Sequence, residues 1–233
     1  MATTGHEHTV KAFDEDIKHL RALISQMGGL AEEAIRDAMI ALQRGDTKLA
    51  KEVRRKDKAI DAIEAEVEKL AVRVIALRAP MADDLREVVA ALKIAAVIER
   101  IGDYAKNIAK RTPLIHASDG ERIEAISLLP AMAQMAGDMV HDVLDAFSAR
   151  DAEAAIRVSE RDARLDDFYD SIFRTLVTYM VENPRTISEV AHLLFVAKNI
   201  ERIGDHATNV AEMVYFAATG QYLADRDTDT AEN

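Results

Sequence analysis

Apolar and polar residues follow one another along most of this chain as they do in amphipathic helices, with apolar stripes that face a core. The long segments between Gly and Pro residues are rich in Ala, Leu, Glu, Lys, Arg and Met, which favour the helix. No strand-like alternation bounded by turns is present in the sequence. We therefore predict an all-α fold of six helices, at residues 10–43, 46–78, 82–112, 120–149, 151–182 and 186–218.

Capping residues mark several of the predicted helix ends. Gly45 followed by Asp46 has the pattern of a C′ residue and an N-cap in succession, and Asp151 is a second N-cap candidate. Both positions predict tight reversals of the chain. Pro130 falls in or just before the first full turn of the fourth helix. Capping-box spacing marks the starts of the sixth and fourth helices, at Thr186 with Glu189 and at Ser118 with Glu121.

The chain contains an internal repeat. Residues 98–103, Ile-Glu-Arg-Ile-Gly-Asp, recur unchanged as residues 200–205, at an offset of 102. An offset of 105 aligns residues 41–61 with residues 146–166. Chance similarity between helices does not explain an identical hexapeptide in register with matched caps. We therefore predict two tandem copies of one three-helix unit, each an antiparallel bundle, because short connections place neighbouring helices antiparallel.

The repeat sets the predicted domain organisation. We expect a first three-helix bundle at residues 10–116 and a second at 117–219. Residues 1–9 are predicted to be a flexible N-terminus, and residues 220–233 are too polar to be expected in an ordered structure.

The third and sixth helices are apolar on almost every side before their repeated hexapeptides, so we predict that they are the central helices. Gly102 and Gly204 lie in the middle of these helices, where glycine costs about 1 kcal/mol relative to alanine. Either a close approach of another backbone, room for a bound ion, or simple tolerance explains them. The sequence leaves these explanations open.

Charge and composition exclude several classes of function. The chain has 41 Asp and Glu residues against 30 Lys and Arg, a net charge of -11, and only 5% aromatic residues, so we expect no direct binding of nucleic acid. It has no cysteine, which excludes disulfides and thiolate sites and agrees with a cytoplasmic location. The longest apolar stretches, at residues 88–98 and 190–200, are too short to span a membrane. Residues 1–10 are polar, so we expect no secretory signal.

Acidic residues four positions apart recur on every helix of both copies. Such residues share one helix face and together can hold a hard cation. About seven pairs of this spacing are expected by chance at this acid content, so the equivalent placement in both copies carries the argument. If the three helices of a copy bring their pairs to one level, six carboxylates converge. The pairs are Glu33/Asp37, Asp57/Asp61 and Glu99/Asp103 in the first copy, and Asp138/Asp142, Asp162/Asp166 and Glu201/Asp205 in the second.

Converging carboxylates repel one another unless cations or protons compensate their charge. A site made only of carboxylates favours hard ions such as Fe(III), Mn, Mg or Ca over Cu or structural Zn. The alternative is that the acids lie on solvated faces and pair with nearby lysines and with Arg54, Arg100, Arg161 and Arg202. A metal-binding face is therefore a hypothesis at this point.

Histidines and catalytic motifs give little support to an enzyme. A ferritin-like di-iron site uses Glu-x-x-His, which Glu189 and His192 match. His192 precedes Glu201 by about 13 Å of helix rise, so the two do not share a site. His206 corresponds to Tyr104 in the first copy. A phosphate-binding loop, a nucleophile elbow and a Ser/His/Asp signature are absent from the sequence.

The repeated hexapeptide resembles a signature of the PhoU family of phosphate-transport accessory and regulatory proteins. The resemblance extends from Phe13 to Tyr222. Its motifs are Met-Gly-Gly at 27–29, Arg-Ala-Pro-Met-Ala-Asp-Asp-Leu-Arg at 78–86, and Ala-Lys-Asn-Ile-Glu-Arg-Ile-Gly-Asp-His-Ala-Thr-Asn at 197–209. It implies two three-helix bundles in a PhoU-like six-helix fold.

The resemblance also implies a multinuclear metal cluster, as some members of the family bind. Iron is the first expectation, with Zn, Mn, Mg or Ca as alternatives. The acid pairs of the first and fourth helices are our extension of the family motif. The strongest ligand candidates are Glu99, Asp103, Glu201 and Asp205, followed by Asp57, Asp61, Asp162 and Asp166, and then by Glu33, Asp37, Asp138 and Asp142.

In function, the resemblance implies a cytoplasmic, non-enzymatic negative regulator of the phosphate-starvation response and its Pho regulon. Such a protein couples a high-affinity phosphate ABC transporter, at its ATPase subunit, to the sensor histidine kinase of a phosphate two-component system. It is expected to form a homodimer and to meet the membrane only through these partners. The alternative function is a carboxylate-bridged iron enzyme or an iron-storage bundle.

Overall fold

The computed structural model describes residues 3–116 and 124–223, and this part of the chain is helical without strands. The all-α prediction is therefore confirmed. Short 3-10 helices at Glu124–Leu128 and Pro184–Thr186 precede two of the α-helices. The α-helices of the described residues are α1 (Thr3–Arg44), α2 (Thr47–Arg78), α3 (Asp83–Ile115), α4 (Leu129–Ala149), α5 (Ala152–Ser159), α6 (Asp162–Glu182) and α7 (Ile187–Thr219).

The helices form two bundles in chain order, α1 to α3 and α4 to α7. Helix α1 starts at Thr3, earlier than the predicted residue 10. The predicted start of the second bundle at residue 117 and the predicted tail from residue 224 onward lie outside the described residues. In the second bundle α5 and α6 follow one another where the first bundle has the single helix α2.

The predicted single helix over 151–182 is wrong at Glu160 and Arg161, which separate α5 from α6. The Arg161 amide donates to the Val158 carbonyl at 3.0 Å, and the Arg164 amide donates to the Arg161 carbonyl at 3.1 Å. These bonds reach back three residues, as in a 3-10 turn. Neither Gly nor Pro stands at this point, so the local sequence carries no signal for the break.

Two predicted caps are confirmed. The Asp46 carboxylate accepts from the amides of Lys48 at 2.9 Å and Leu49 at 3.0 Å, after Gly45 with a φ of 65°. The Asp151 carboxylate accepts from the amide of Ala154 at 2.9 Å. Each aspartate satisfies backbone donors that the first turn of a helix leaves free, so the tight reversals follow from local chemistry.

The two predicted capping boxes have different outcomes. Thr186 immediately precedes α7, as predicted, but its hydroxyl donates to the Asn183 carbonyl at 2.8 Å and does not cap the helix. The side-chain cap predicted there is therefore wrong. Ser118 and Glu121 lie outside the described residues, and α4 begins at Leu129 with Pro130 in its first turn.

The central helices are α3 and α7, as predicted. They make the most extensive contact of any helix pair in the described residues. Side chains such as Ile98 of α3 and Ile200 of α7 are fully buried, and the buried residues of both bundles form one continuous core. The two copies therefore pack back to back through α3 and α7.

The glycines of the repeated hexapeptide lie at close helix contacts. A Cβ atom on Gly102 would lie 2.7 Å from Ile60 Cδ1 of α2, and one on Gly204 would lie 2.1 Å from Leu165 Cδ2 of α6. Ile60 and Leu165 are equivalent at the offset of 105. Close helix approach, and not tolerance, explains the two glycines.

We expect Gly204→Leu to lower the free energy of unfolding by about 1–3 kcal/mol, because it overpacks the contact with Leu165 while keeping a good helix former. Gly137→Ala is the matched control, since among the described residues no atom beyond the neighbouring backbone of its own helix lies within 4 Å of its Cβ position. That control should raise stability by about 1 kcal/mol through helix propensity. Urea unfolding measures both, and equal effects would contradict the packing argument.

Candidate metal centre

Four carboxylates of the second copy meet where α6 crosses α7. Asp162 and Asp166 lie one turn apart on α6, and Glu201 and Asp205 lie one turn apart on α7. We call these four residues the second cluster. One carboxylate oxygen from each of Asp162, Asp166 and Asp205 lies within 4.8 Å of the other two. Among the residues that the structure describes, this is the one group of three or more possible metal ligands at such short distances.

The contact at Gly204 positions the second cluster. The Cβ position of Gly204 lies 3.7 Å from Asp162 Oδ1, and the same close approach brings Leu165 onto α7. A larger side chain would hold α6 away from α7 and would separate the aspartates of α6 from Asp205. The repeated glycine is therefore part of the site's geometry as well as of the core.

The buried carboxylate of Glu201 favours a bound cation. The residue is only 9% exposed. Its Oε1 forms an ion pair with the ammonium of Lys198, while its Oε2 is buried and has no hydrogen-bond partner in the described part of the chain. An unpaired oxygen of a buried carboxylate is costly, and a cation bound among the neighbouring aspartates would satisfy it.

The charges of the second cluster are poorly compensated. Burial, followed by the charges of Glu201 and Asp162, raises the pKa of Asp205 to about 6. Burial, followed by the charge of Asp162, also raises the pKa of Asp166. The ammonium of Lys198 opposes both increases without cancelling them. The second cluster therefore has the charge and the oxygen ligands that hard multivalent cations prefer.

The equivalent residues of the first copy also meet, between α2 and α3. We call Asp57, Asp61, Glu99 and Asp103 the first cluster. Asp57 is only 6% exposed, and Asp57 and Asp103 both form ion pairs with the ammonium of Lys106. Burial, followed by the charge of Asp103 and then by that of Glu64, raises the pKa of Glu99. This cluster therefore contains a lysine cation of its own.

The sequence analysis missed Lys106 and Glu64. Lys106 follows Asp103 by three residues, and Glu64 follows Asp61 by three residues, so each lies on the same helix face as an acid of the first cluster. That spacing is the signal that would have identified them. A search limited to acids four positions apart does not find either residue.

The weaker acid pairs lie apart from the three-aspartate group. Glu33 and Asp37 on α1 pair with the ammonium of Lys56, at 2.6 Å and 3.7 Å. Asp138 on α4 accepts from the Gln134 amide at 2.7 Å. Asp142, also on α4, forms an ion pair with Arg161. Local basic or amide groups therefore engage all four side chains.

The two histidines of α7 contact residues outside the acid clusters. His192 Nδ1 lies 2.8 Å from Arg111 Nη1, and burial, followed by the charge of Arg111, lowers the pKa of His192. The ring of His206 packs on that of Tyr104 with centroids 5.3 Å apart, and its Nδ1 lies 3.1 Å from the Asn209 amide nitrogen. Tyr104 and His206 are equivalent in the repeat, so they meet across the contact between α3 and α7.

The PhoU domain matches this chain twice, at residues 24–112 and 129–214, and each match contains one of the two acid clusters. The chain belongs to the PhoU family. It is 53% identical over 219 residues to the phosphate-specific transport system accessory protein PhoU homolog of Zymomonas mobilis, a match that covers 94% of this chain and 92% of that relative.

Solved structures of PhoU proteins have the same fold. The crystal structure of PhoU from Pseudomonas aeruginosa superimposes with a TM-score of 0.85 at 36% identity, and it covers 90% of this chain and 100% of that one. The crystal structure of the phosphate transport system regulatory protein PhoU from Streptococcus pneumoniae superimposes with a TM-score of 0.84 at 26% identity, covering 91% and 100%. The predicted PhoU-like fold is thus confirmed.

Within the described residues, none of the PhoU helices combines the length and the apolar character needed to cross a bilayer.

We expect the metal-free protein to lose stability as the pH rises from about 4 to about 6, in part because of Asp205. The pKa of Asp205 is about 6 in the folded chain, against an ordinary value of 3.8. Between these values the folded protein binds a proton that the unfolded chain has released, so the free energy of unfolding falls with rising pH. Melting temperatures in a chelating buffer measure the effect.

The matched variants for this measurement are Asp205→Asn and Asp167→Asn, the latter an exposed neighbour of the second cluster on α6. The first should flatten the dependence on pH and the second should leave it unchanged. Identical slopes for the wild type and Asp205→Asn would contradict the electrostatic description of the site.

Proposed function

We propose that this PhoU-family chain is a non-enzymatic, cytoplasmic, metal-binding adaptor that restrains phosphate uptake and the phosphate-starvation response. Its partners are the ATPase subunit of a phosphate ABC transporter, the sensor histidine kinase of the phosphate two-component system, and a second copy of the chain. Family membership supports the link to phosphate transport. The second cluster, with the buried unpaired oxygen of Glu201, is the observation that supports metal binding.

The residues that would hold the metal are those of the second cluster, Asp162, Asp166, Glu201 and Asp205. A bound multivalent cation supplies positive charge that offsets the repulsion between these carboxylates. Iron is our first choice of metal, as the family resemblance implies, with Mn, Mg, Ca or Zn as alternatives. The hard oxygen ligands of all four side chains favour Fe(III), Mn, Mg and Ca among these ions. The carboxylates of α6 and α7 hold the two helices together only when their charge is compensated.

The position of the second cluster suggests how metal binding affects partners. It joins the surface helix α6 to α7, and α7 packs most extensively against α3 of the other bundle. Fixing α6 on α7 therefore fixes a surface helix on the shared core. An adaptor shifts a kinase or a transporter only by preferring one of its conformations, which requires a docking surface of constant shape.

Exposed apolar side chains offer such a surface. Val72 on α2 and Val177 on α6 are equivalent at the offset of 105, and both are exposed. Exposed apolar groups on a folded protein often mark contacts with partners. The C-terminal halves of α2 and α6, the turn after α2 and the start of α7 also expose Leu77, Met81, Phe173, Val181 and Ile187.

The alternative function, an iron enzyme or an iron store, lacks a supporting observation at the second cluster. The three side chains that approach within 4.8 Å are all aspartates. His192, which matches the Glu-x-x-His pattern, lies against Arg111. Turnover of dioxygen, together with spin-resonance signals from a coupled iron pair, would favour this alternative over the adaptor.

We expect the double variant Glu201→Gln/Asp205→Asn to lose bound metal and to lose capture of the transporter ATPase subunit. The experiment is a pull-down from membranes of phosphate-replete cells, with metal analysis of the same sample. In cells, the variant should also express a phosphate-starvation reporter in phosphate-rich medium, because the restraint on the kinase is lost.

Glu153→Gln/Asp167→Asn is the matched control, since it makes the same changes of residue type at exposed positions of α5 and α6. It should behave as the wild type in all three measurements. If chelator-treated wild-type protein keeps both its melting temperature and its affinity for the partner, the proposed role of the metal is wrong.

A further inference from the structure

The two copies differ in the side chain that follows the last acid of each cluster by three residues. Lys106 follows Asp103 by three residues on α3, and at the offset of 102 its counterpart on α7 is Thr208. The Lys106 ammonium forms ion pairs with Asp57 from α2 and with Asp103 from α3. A cationic side chain thus bridges the two helices of the first cluster, whereas the short Thr208 side chain carries no charge.

The Lys106 ammonium has the position and the charge of a bound cation. It contacts carboxylates from two different helices, and one of them, Asp57, is buried. An ordinary lysine side chain loses its proton only far above neutral pH, so this ammonium carries its positive charge there.

The second cluster contains a different lysine in a different place. Lys198 corresponds to Ala96 in the first copy, so it is not the equivalent of Lys106. Its ammonium pairs with Glu201 and lies 5.3 Å from the centroid of the Tyr169 ring. Its ion pair stays within α7, because both Lys198 and Glu201 belong to that helix, whereas the ion pairs of Lys106 join two helices.

The position equivalent to Lys106 is occupied by an uncharged residue in the second copy. The hydroxyl of Thr208 is buried and, within the described residues, makes no hydrogen bond. One oxygen from each of Asp162, Asp166 and Asp205 lies within 4.8 Å of the other two. Glu201, whose negative charge acts on Asp166 and Asp205, has an Oε2 with no hydrogen-bond partner in the described part of the chain. Within the described residues, Lys198 forms an ion pair with Glu201 alone among these four acids, so the charge that Lys106 supplies between the helices of the first cluster must come from elsewhere in the second.

We propose that Lys106 is a built-in counterion that keeps multivalent cations out of the first cluster, so that this chain binds metal at the second cluster alone. The inference rests on the proposed function, because it takes the second cluster to be a metal site. A metal ion entering the first cluster would have to displace a tethered ammonium, whose effective concentration is high because it belongs to the same chain. A metal ion beside the ammonium would be repelled by it.

The test is a titration of chelator-treated protein with Mn²⁺, read by calorimetry and by metal content after gel filtration. Compared with the wild type, the double variant Asp162→Asn/Asp205→Asn should bind Mn²⁺ at least about tenfold more weakly, because two ligand charges are lost. Asp61→Asn/Glu99→Gln, which removes two acids of the first cluster that do not bond Lys106, should leave Mn²⁺ binding unchanged.

The decisive comparison exchanges the residue types of the equivalent positions Lys106 and Thr208. Lys106→Thr should about double the Mn²⁺ content, because it gives the first cluster the composition of the second. The added Mn²⁺ should be lost again in the triple variant with Asp61→Asn/Glu99→Gln. Thr208→Lys should weaken binding at the second cluster at least about tenfold, because it places an ammonium there.

Melting temperatures distinguish an electrostatic role of Lys106 from a purely structural one. Lys106→Thr should melt at a lower temperature than the wild type in chelator, and Mn²⁺ should restore its stability through binding to the folded state. Lys106→Arg keeps the charge, so it should keep the wild-type Mn²⁺ content. Failure of Mn²⁺ to stabilise Lys106→Thr, or a doubled Mn²⁺ content in Lys106→Arg, would overturn the inference.

Two results separate this inference from the proposed function. Wild-type protein that loads both clusters with Mn²⁺ equally would overturn the role of Lys106 while leaving the metal site in place. Wild-type protein that binds no Mn²⁺ would overturn the metal site and the inference together.

Discussion

Carboxylates on neighbouring helices can meet only where the helix backbones approach closely, and this structure achieves the approach with the glycines of its repeat. Leu165 packs into the space that a side chain at Gly204 would fill, and Ile60 does the same at Gly102. Asp162 and Asp57 lie three residues before these packing residues on the same helices. The apolar contact that stabilises the core is therefore the contact that brings the acids together.

Bringing the carboxylates together makes them repel one another, and the two copies compensate this repulsion differently. In the first copy Lys106 pairs with Asp57 and Asp103 across the two helices. In the second copy the charge is only partly compensated, and the pKa of Asp205 rises to about 6. Duplication has thus kept the backbone geometry of the site while the chemistry of its two versions has diverged.

Much of the fold was predictable because it depends on short-range pattern. The caps at Asp46 and Asp151 act within four residues, and the repeated hexapeptide identified the central helices through their apolar surroundings. The break between α5 and α6 was not predictable, since no Gly or Pro marks it. The position of Thr186 at the start of α7 was predicted correctly, but its hydrogen bond was not. The Thr186 hydroxyl donates to the Asn183 carbonyl and does not cap α7.

The sequence by itself determined the helical class, the two copies and the identity of the acids, since these follow from periodicity and from residues a few positions apart. Only the tertiary structure decided which acids meet. Asp142 pairs with Arg161 and Glu33 with Lys56, whereas Asp166 approaches Asp205. The reason is physical: one helix fixes a side chain's direction, but the partner that it reaches depends on how closely and at what level a second helix packs.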